Sequence, residues 1–347
     1  MPGRLKNINH KPDSEVDMRY HKLGKTGIEV SELGFGAWSI ALDWWGKKIE
    51  EDEALRMLRR AYDVGINFFE TGDMYGKGKS ERLIGRAFAG MRDEVVISTK
   101  YGYDFAGVEQ IGHSELPQRF DEDFTKKALR DSLERLQTDH LDMYGLHNPK
   151  LGHIRDDSIF ETLDGFLRAG TIRTCQVALG PAIGWTDEGL EAMERPCVGA
   201  VQTVYNILEQ TPGNELLRRA ADRGVGILVR VPEASGILTG KVNADTKIDQ
   251  KDHRSVRKGE WIKASLQKVE EIRPIAERNG LTIRELAMKF IMTKQGFASV
   301  LPTVTDEDEI VQYAEMCDGR YISASDMEEI DGLYSTWPSY ELKATLE

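Results

Sequence analysis

The chain has 347 residues, 40% of them hydrophobic and 30% charged, with a formal net charge of −12 at pH 7. This is enough apolar material for a large core and excludes a chain disordered throughout; the acidic balance argues against a nucleic-acid partner, which needs a basic face. The excess is uneven: from Asp306 to Glu347 there are 12 acidic and 2 basic residues, a local balance of −10 that reads as a solvated helical face.

No apolar run approaches the roughly 18 residues of a membrane-spanning helix. The first residues lack the apolar stretch of a signal peptide. Three cysteines, Cys175, Cys197 and Cys317, show no CxxC spacing. The expectation is a cytoplasmic protein in a reducing compartment, with no membrane partner.

In chain order, residues 1–17 read as a polar tail and 18–347 as one domain. Met18–Leu33 reads as a β-hairpin, two apolar-alternating runs around Gly-Lys-Thr-Gly. Short apolar strands then alternate with amphipathic helices. The strands are predicted at Leu33–Gly36, Asn67–Glu70, Val95–Thr99, Leu141–Leu146, Ile172–Val177, Val201–Val204, Gly226–Val231 and Ser299–Leu301. The helices are predicted at Glu51–Val64, Ser80–Ala89, Asp123–Leu136, Ile159–Ala169, Asp187–Met193, Glu215–Arg223, Leu281–Lys294 and Glu307–Met316, with extra helices over Ile262–Asn279 and Ser325–Tyr334. Ala54, Leu55, Leu58, Ala61 and Tyr62 set the helical period in the first of these. Glycines after helix ends, at Gly65, Gly170 and Gly224, fit C-terminal stops. Strict β/α alternation predicts a parallel sheet, and eight pairs over roughly 270 residues fit a closed (β/α)8 TIM barrel with an N-terminal hairpin and an extra C-terminal helix. Three stretches are longer than ordinary connections, Ile40–Ile49, Gly102–Asp121 and Pro232–Lys258, and all leave C-terminal strand ends, where they can wall a site.

Four residues sit at or just past predicted strand ends: Glu70 and Tyr75 in Phe-Phe-Glu-Thr-Gly-Asp-Met-Tyr-Gly, Lys100 in Val-Val-Ile-Ser-Thr-Lys, and His147 in Tyr-Gly-Leu-His-Asn-Pro. An acid, a phenol, an amine and an imidazole on one barrel rim suit proton transfer beside a bound cofactor. Singly, each has a structural reading: the tyrosine as packing, the histidine as a group held by the Asn148-Pro149 turn. The histidines show no metal-ligand spacing, so no metal site is expected. GxGxxG after a first strand is absent, and Gly78-Lys79-Ser80 lacks the context of a phosphate-binding loop.

The ordered motifs resemble the aldo/keto reductase family over about Met18–Tyr334. They are Leu-Gly-Lys-Thr-Gly with Leu-Gly-Phe-Gly-Ala-Trp, then Tyr75-Gly76 with Ser80-Glu81, Ser-Thr-Lys100, Leu-His147-Asn-Pro, and Ser235-Gly-Ile-Leu-Thr-Gly-Lys241. The resemblance implies an NAD(P)-dependent oxidoreductase of a carbonyl and an alcohol. It implies Tyr75 as general acid/base, Lys100 lowering the Tyr75 pKa, Glu70 in place of the family aspartate anchoring Lys100, and His147 orienting the carbonyl. It further implies cofactor contacts from Gly36, Trp38, Gln202, Arg230, Gly236, Leu238 and Lys241. Trp38, Trp45, Tyr101 and Asn148 are the substrate candidates, and a sugar or polyhydroxy compound is the suggested substrate class.

Departures cluster around the same site. Glu70 is one methylene longer than aspartate. Gln176-Val177-Ala178-Leu179-Gly180 replaces a stretch whose polar side chains hold the cofactor carboxamide. Arg230 stands where an aromatic ring stacks, free to bind an anionic substrate or to pair with Glu233. The acids Asp306–Glu309 stand where relatives grip a 2′-phosphate, which favours NAD(H) over NADP(H), although acids at a helix start also act as caps. Two other readings stay open: a transient-oxidation epimerase or lyase with tightly held NAD, and a cofactor-sensing, non-catalytic subunit. The sequence carries no signal for an oligomeric state.

Overall fold

A computed structural model of the chain describes residues 16–43, 47–108, 116–180, 185–243, 245–246, 252 and 259–337. The first two strands, β1 (Tyr20–Lys22) and β2 (Glu29–Ser31), form the antiparallel hairpin, pairing Tyr20 with Ser31 and Lys22 with Glu29. The hairpin is a separate two-stranded sheet. Its Leu23, Ile28 and Val30 pack with Phe68, Val96, Met143, Ala200, Leu228 and Ala298 from the strands of the large sheet. This apolar plug stands where those strands begin, so the open rim is at their C-terminal ends.

The second sheet has eight parallel strands: β3 (Phe35–Gly36), β4 (Phe68–Glu70), β5 (Val96–Tyr101), β6 (Leu141–His147), β7 (Ile172–Ala178), β8 (Val198–Val204), β9 (Gly226–Arg230) and β10 (Phe297–Leu301). Their spatial order is their chain order. Leu33 bridges Val300, and the hydrogen bonds Gly34 N–H to Val300 O (2.9 Å) and Val300 N–H to Glu32 O (2.9 Å) join the first strand to the last. The predicted barrel is therefore present. Most of its strands are buried along both faces, so they lack the alternation that marks strand ends in sequence. Hence β5 runs on to Tyr101 and β8 begins at Val198, beyond the predicted limits.

Helices cover the outside: α1 (Glu51–Asp63), α2 (Lys79–Ala87), α3 (Glu122–Leu136), α4 (Leu151–Arg155), α5 (Asp157–Arg168), α6 (Thr186–Met193), α7 (Gly213–Arg223), α8 (Gly259–Arg278), α9 (Ile283–Thr293), α10 (Glu307–Glu315) and α11 (Ala324–Thr336). In α1, Ala54, Met57, Leu58 and Ala61 form the buried stripe, while Glu51, Asp52 and Glu53 at its start and Arg60 near its end complement the helix dipole. Asp121 caps α3 by accepting from Phe124 N–H (3.1 Å), and Thr282 with Glu285 makes a capping box on α9. The five-residue α4 was not predicted, being too short to show a helical period. Among the described residues no helix is long and apolar enough to cross a membrane.

Candidate active site

Glu70 ends β4, and register places it beside Gly36 of β3 and Ser98 of β5. Lys100 lies two residues along β5, opposite Gly145 of β6, with its side chain directed into the barrel. The stem runs past Gly72, where an added Cβ would stand 3.3 Å from Lys100 Cγ. The Lys100 ammonium donates to a Glu70 carboxylate oxygen and to Thr71 O (2.8 Å). The extra methylene of Glu70 is thus accommodated with the ion pair made, and both side chains are buried. Tyr75 follows in the loop after β4. Lys100 Nζ lies 4.6 Å from its ring centroid, and the His147 ring meets it edge-on at 5.7 Å.

His147 ends β6 and is buried. Its neighbour Asn148 adopts a left-handed backbone (φ 51°), a conformation asparagine tolerates better than most residues. Gln118 Nε2 donates to both carbonyls of that turn, His147 O at 3.1 Å and Asn148 O at 3.0 Å. Asn148 Nδ2 donates to Tyr103 Oη (2.8 Å), and the Tyr103 ring stands edge-on to His147 at 5.1 Å. Among the described residues, His147 Nδ1 has no hydrogen-bond partner.

The electrostatics separate charged from neutral groups. Burial pulls Lys100 down, but Glu70 and Tyr75 together outweigh it and hold the ammonium above its ordinary pKa. Burial pushes Tyr75 up; Lys100 pulls it back, Glu70 pushes it up again, and the phenol stays above its ordinary value. Lys100 therefore lowers Tyr75, but not by enough to offset burial first and Glu70 second. Burial, then Lys100 and Arg230, hold His147 well below its ordinary value, which keeps the imidazole neutral at pH 7. Asp73, buried beneath the loop, is pushed well up by burial and by Glu81.

The remaining candidates divide. Gly36 and partly buried Trp38 lie at the end of β3, beside Glu70. Gln202 is buried near the end of β8, its carbonyl accepting from Leu179 N–H (2.9 Å). Gly236 (φ 91°) opens a short 3-10 turn that contains buried Leu238. Lys241 pairs with Glu309 at 2.8 Å. Arg230 ends β9 and reaches across β8 to the end of β7, where Nη2 donates to Leu179 O (2.6 Å) and Gly180 O (2.8 Å). It does not pair with Glu233, whose carboxylate instead accepts from Tyr313 Oη (2.6 Å). Three non-glycine residues of this loop, Val231, Ala234 and Ser235, have positive φ. For a β-branched residue such as Val231 this is a strained backbone.

One expectation changes. Tyr101 is not at the rim: it is fully buried, stacked on Tyr144, and hydrogen-bonded through Oη to Thr125 Oγ1 (2.9 Å). Successive strand residues face opposite sides, so Lys100 pointing inward sends Tyr101 outward under α3. Tyr103, which sequence reading passed over, is the aromatic that reaches His147; its place in the long segment after β5 was the available signal. Three of the four acids of the last loop are already engaged. Asp306 caps α10, Glu309 accepts from Thr305 N–H (2.9 Å) besides pairing with Lys241, and Glu307 pairs with Arg56 (3.1 Å). Trp45 lies outside the described residues.

The aldo/keto reductase family model matches residues 32–335. The chain belongs to this family. It is accordingly an oxidoreductase, and its family works with nicotinamide cofactors. Among similar proteins, the aldo-keto reductase YhdN of Bacillus subtilis (strain 168) is 29% identical over 290 residues, which is 80% of this chain and 82% of YhdN. A probable voltage-gated potassium channel subunit beta of Oryza sativa subsp. japonica is 27% identical over 312 residues, 87% of this chain and 92% of the relative. Among solved structures, aldo-keto reductase AKR11C1 from Bacillus halodurans (holo form) aligns with a TM-score of 0.75 at 23% identity, covering 93% of this chain and 99% of that one. The glycerol dehydrogenase AKR11B4 from Gluconobacter oxydans aligns with a TM-score of 0.77 at 22% identity, covering 93% and 96%. At these identities the two structures support the fold alone, and this aldo/keto reductase shares their barrel.

Proposed function

We propose that this aldo/keto reductase interconverts a carbonyl and an alcohol by hydride transfer, with Tyr75 as the general acid/base. The observation that carries the reading is the convergence of Tyr75, Lys100 and His147 on one rim, Lys100 Nζ 4.6 Å from the Tyr75 ring and His147 edge-on to the same ring. The nicotinamide cofactor supplies or accepts the hydride. His147 Nδ1, buried and without a partner among the described residues, marks a rim with polar capacity to spare, which fits a bound cofactor and substrate. Trp38, Gln202, Gly236, Leu238 and Lys241 are the residues proposed to hold the cofactor. Arg230 fits less well: it stands where the family has a stacking ring.

In the reducing direction the neutral His147 ring orients the substrate oxygen, and the Tyr75 hydroxyl delivers its proton to that oxygen as negative charge develops. The Lys100 ammonium beside the ring stabilises the phenolate left behind, and Glu70 with the Thr71 carbonyl keeps the ammonium in place. A polyhydroxy substrate fits the name of the glycerol dehydrogenase neighbour. The acids of the α10 start favour NAD(H) over NADP(H), an effect moderated by Lys241 and Arg56. A cofactor-sensing subunit is a second reading, supported by the printed name of the rice relative; the retained Tyr75, Lys100 and His147 favour catalysis.

The test is NADH and NADPH oxidation over a panel of aldehydes and ketones, with cofactor affinity measured separately. Tyr75→Phe is expected to lower kcat/KM by roughly 100-fold or more while leaving cofactor affinity unchanged. Full activity in that variant removes Tyr75 from the mechanism. Tight cofactor binding with no turnover of any carbonyl favours the sensing subunit.

A further inference from the structure

Among the described residues, one cation of the rim makes no ion pair. The charge of Lys100 is met by Glu70, and Glu233 is occupied by Tyr313. His147 is neutral at pH 7 and Tyr75 un-ionised. Arg230 remains. Among the described residues no carboxylate pairs with it: Nη2 is held by the carbonyls of Leu179 and Gly180, and Nε is buried without a partner. Arg230 is partly buried, and withdrawing an unpaired guanidinium from water even in part is costly, whereas an aromatic or aliphatic residue would fill the position without that cost.

The placement is directional. From the end of β9 the side chain crosses β8, and its Nη2 docks on carbonyls just past β7. His147 ends the neighbouring strand β6, opposite Ala178, the residue before Leu179. Adjacent strands are about 5 Å apart, so the guanidinium and the imidazole are within reach of one small molecule.

We propose that Arg230 binds a substrate carboxylate, and that the enzyme's substrates are short oxo acids or sugar acids whose carbonyl is presented to His147 and Tyr75. This inference rests on the hydride-transfer reading given above. It also explains how a cation is tolerated beside a cofactor whose oxidised ring is positive: the carboxylate supplies the missing negative charge between them. Guanidinium is suited to this, since its planar fork matches a carboxylate and its bonds to one are charge-assisted.

The experiment compares matched pairs differing in a carboxylate, succinic semialdehyde against butanal and glucuronate against glucose, at saturating NADH. In the wild-type enzyme kcat/KM is expected to favour the acid by about tenfold or more in at least one pair, chiefly through KM. The acid-to-neutral ratio, which cancels any general loss of rate, falls toward one in Arg230→Gln and is partly retained in Arg230→Lys. Calorimetric titration of the wild-type enzyme with butyrate and butyramide, at saturating NADH, gives a readout independent of turnover; butyrate is expected to bind more tightly.

No acid preference in either wild-type pair overturns the proposal while leaving the reaction itself standing. An equal fall for both members of a pair in Arg230→Gln, with weakened NADH affinity, also overturns it and assigns Arg230 to the cofactor. Failure to oxidise NADH or NADPH with any carbonyl removes both the inference and the reading beneath it.

Discussion

Replacing Glu70 by glutamine removes one charge from the least solvated ion pair of the site and tests how the tetrad is held. The Glu70 and Lys100 side chains are 5% and 1% exposed, so water cannot take over the role of the lost carboxylate. Thr71 O remains as an acceptor, but nothing nearby offsets the ammonium charge. Breaking such a pair from one side costs roughly 3–5 kcal/mol.

The same change has a pH signature. In the wild type Lys100 titrates above its ordinary 10.5, so the stability it contributes is complete below that pH and is lost as pH rises through the raised value. Without Glu70, burial, the largest influence on Lys100, dominates and its pKa falls below 10.5. Glu70→Gln is therefore least stable relative to wild type near pH 7, and the gap narrows as pH approaches 10. Urea unfolding followed by tryptophan fluorescence at pH 7 and pH 9.5 measures both. Replacing both partners, Glu70→Leu with Lys100→Met, is expected to recover much of the loss in stability while abolishing activity. A loss under about 1 kcal/mol at pH 7, or a gap that does not change with pH, refutes the buried-pair reasoning.

Three further outcomes are expected. Glu233 is buried against Tyr313, and burial raises its carboxyl from 4.5 to about 7. Its stabilising contribution is present below pH 4.5 and lost as pH rises through about 7, so Glu233→Gln should exceed wild type at pH 8 by up to roughly 3 kcal/mol and match it below pH 4.5; melting curves at the two pH values check this. In Gly145→Ala the new Cβ would stand 1.7 Å from the backbone oxygen of Gln176, so strands β6 and β7 must separate, and a loss of about 3 kcal/mol or a failure to fold is expected by circular dichroism. His147 is held well below 6.5 by burial and by the cations Lys100 and Arg230, so its ring resonances should not titrate near that pH, and native stability should fall as pH drops below 6.5, where the unfolded chain takes up the proton first. Arg230→Met should move the His147 titration upward by NMR.

Much of the architecture was legible before any coordinates. The alternation of apolar strands with amphipathic helices is a local property, set by backbone geometry and by which face each element must bury. It therefore determined the barrel, its strand order and the rim on which Glu70, Tyr75, Lys100 and His147 gather. The short helix α4 escaped because five residues hold little more than one turn of the pattern. Tyr101 was misplaced by a single-residue question of parity: its neighbour Lys100 points inward, so Tyr101 lies under α3 and Tyr103 takes the place beside His147.

What only the tertiary structure decided is who partners whom across the rim. Arg230 and Leu179 are 51 residues apart, and Glu233 and Tyr313 are 80 apart. Closing the barrel brings these groups together at a register and a side-chain reach that no local pattern encodes. Sequence alone left Arg230 open between an anionic ligand and a pair with Glu233. Barrel closure gave Glu233 to Tyr313 and tied Arg230 to two carbonyls, leaving a partly buried cation at the rim with no carboxylate of its own among the described residues.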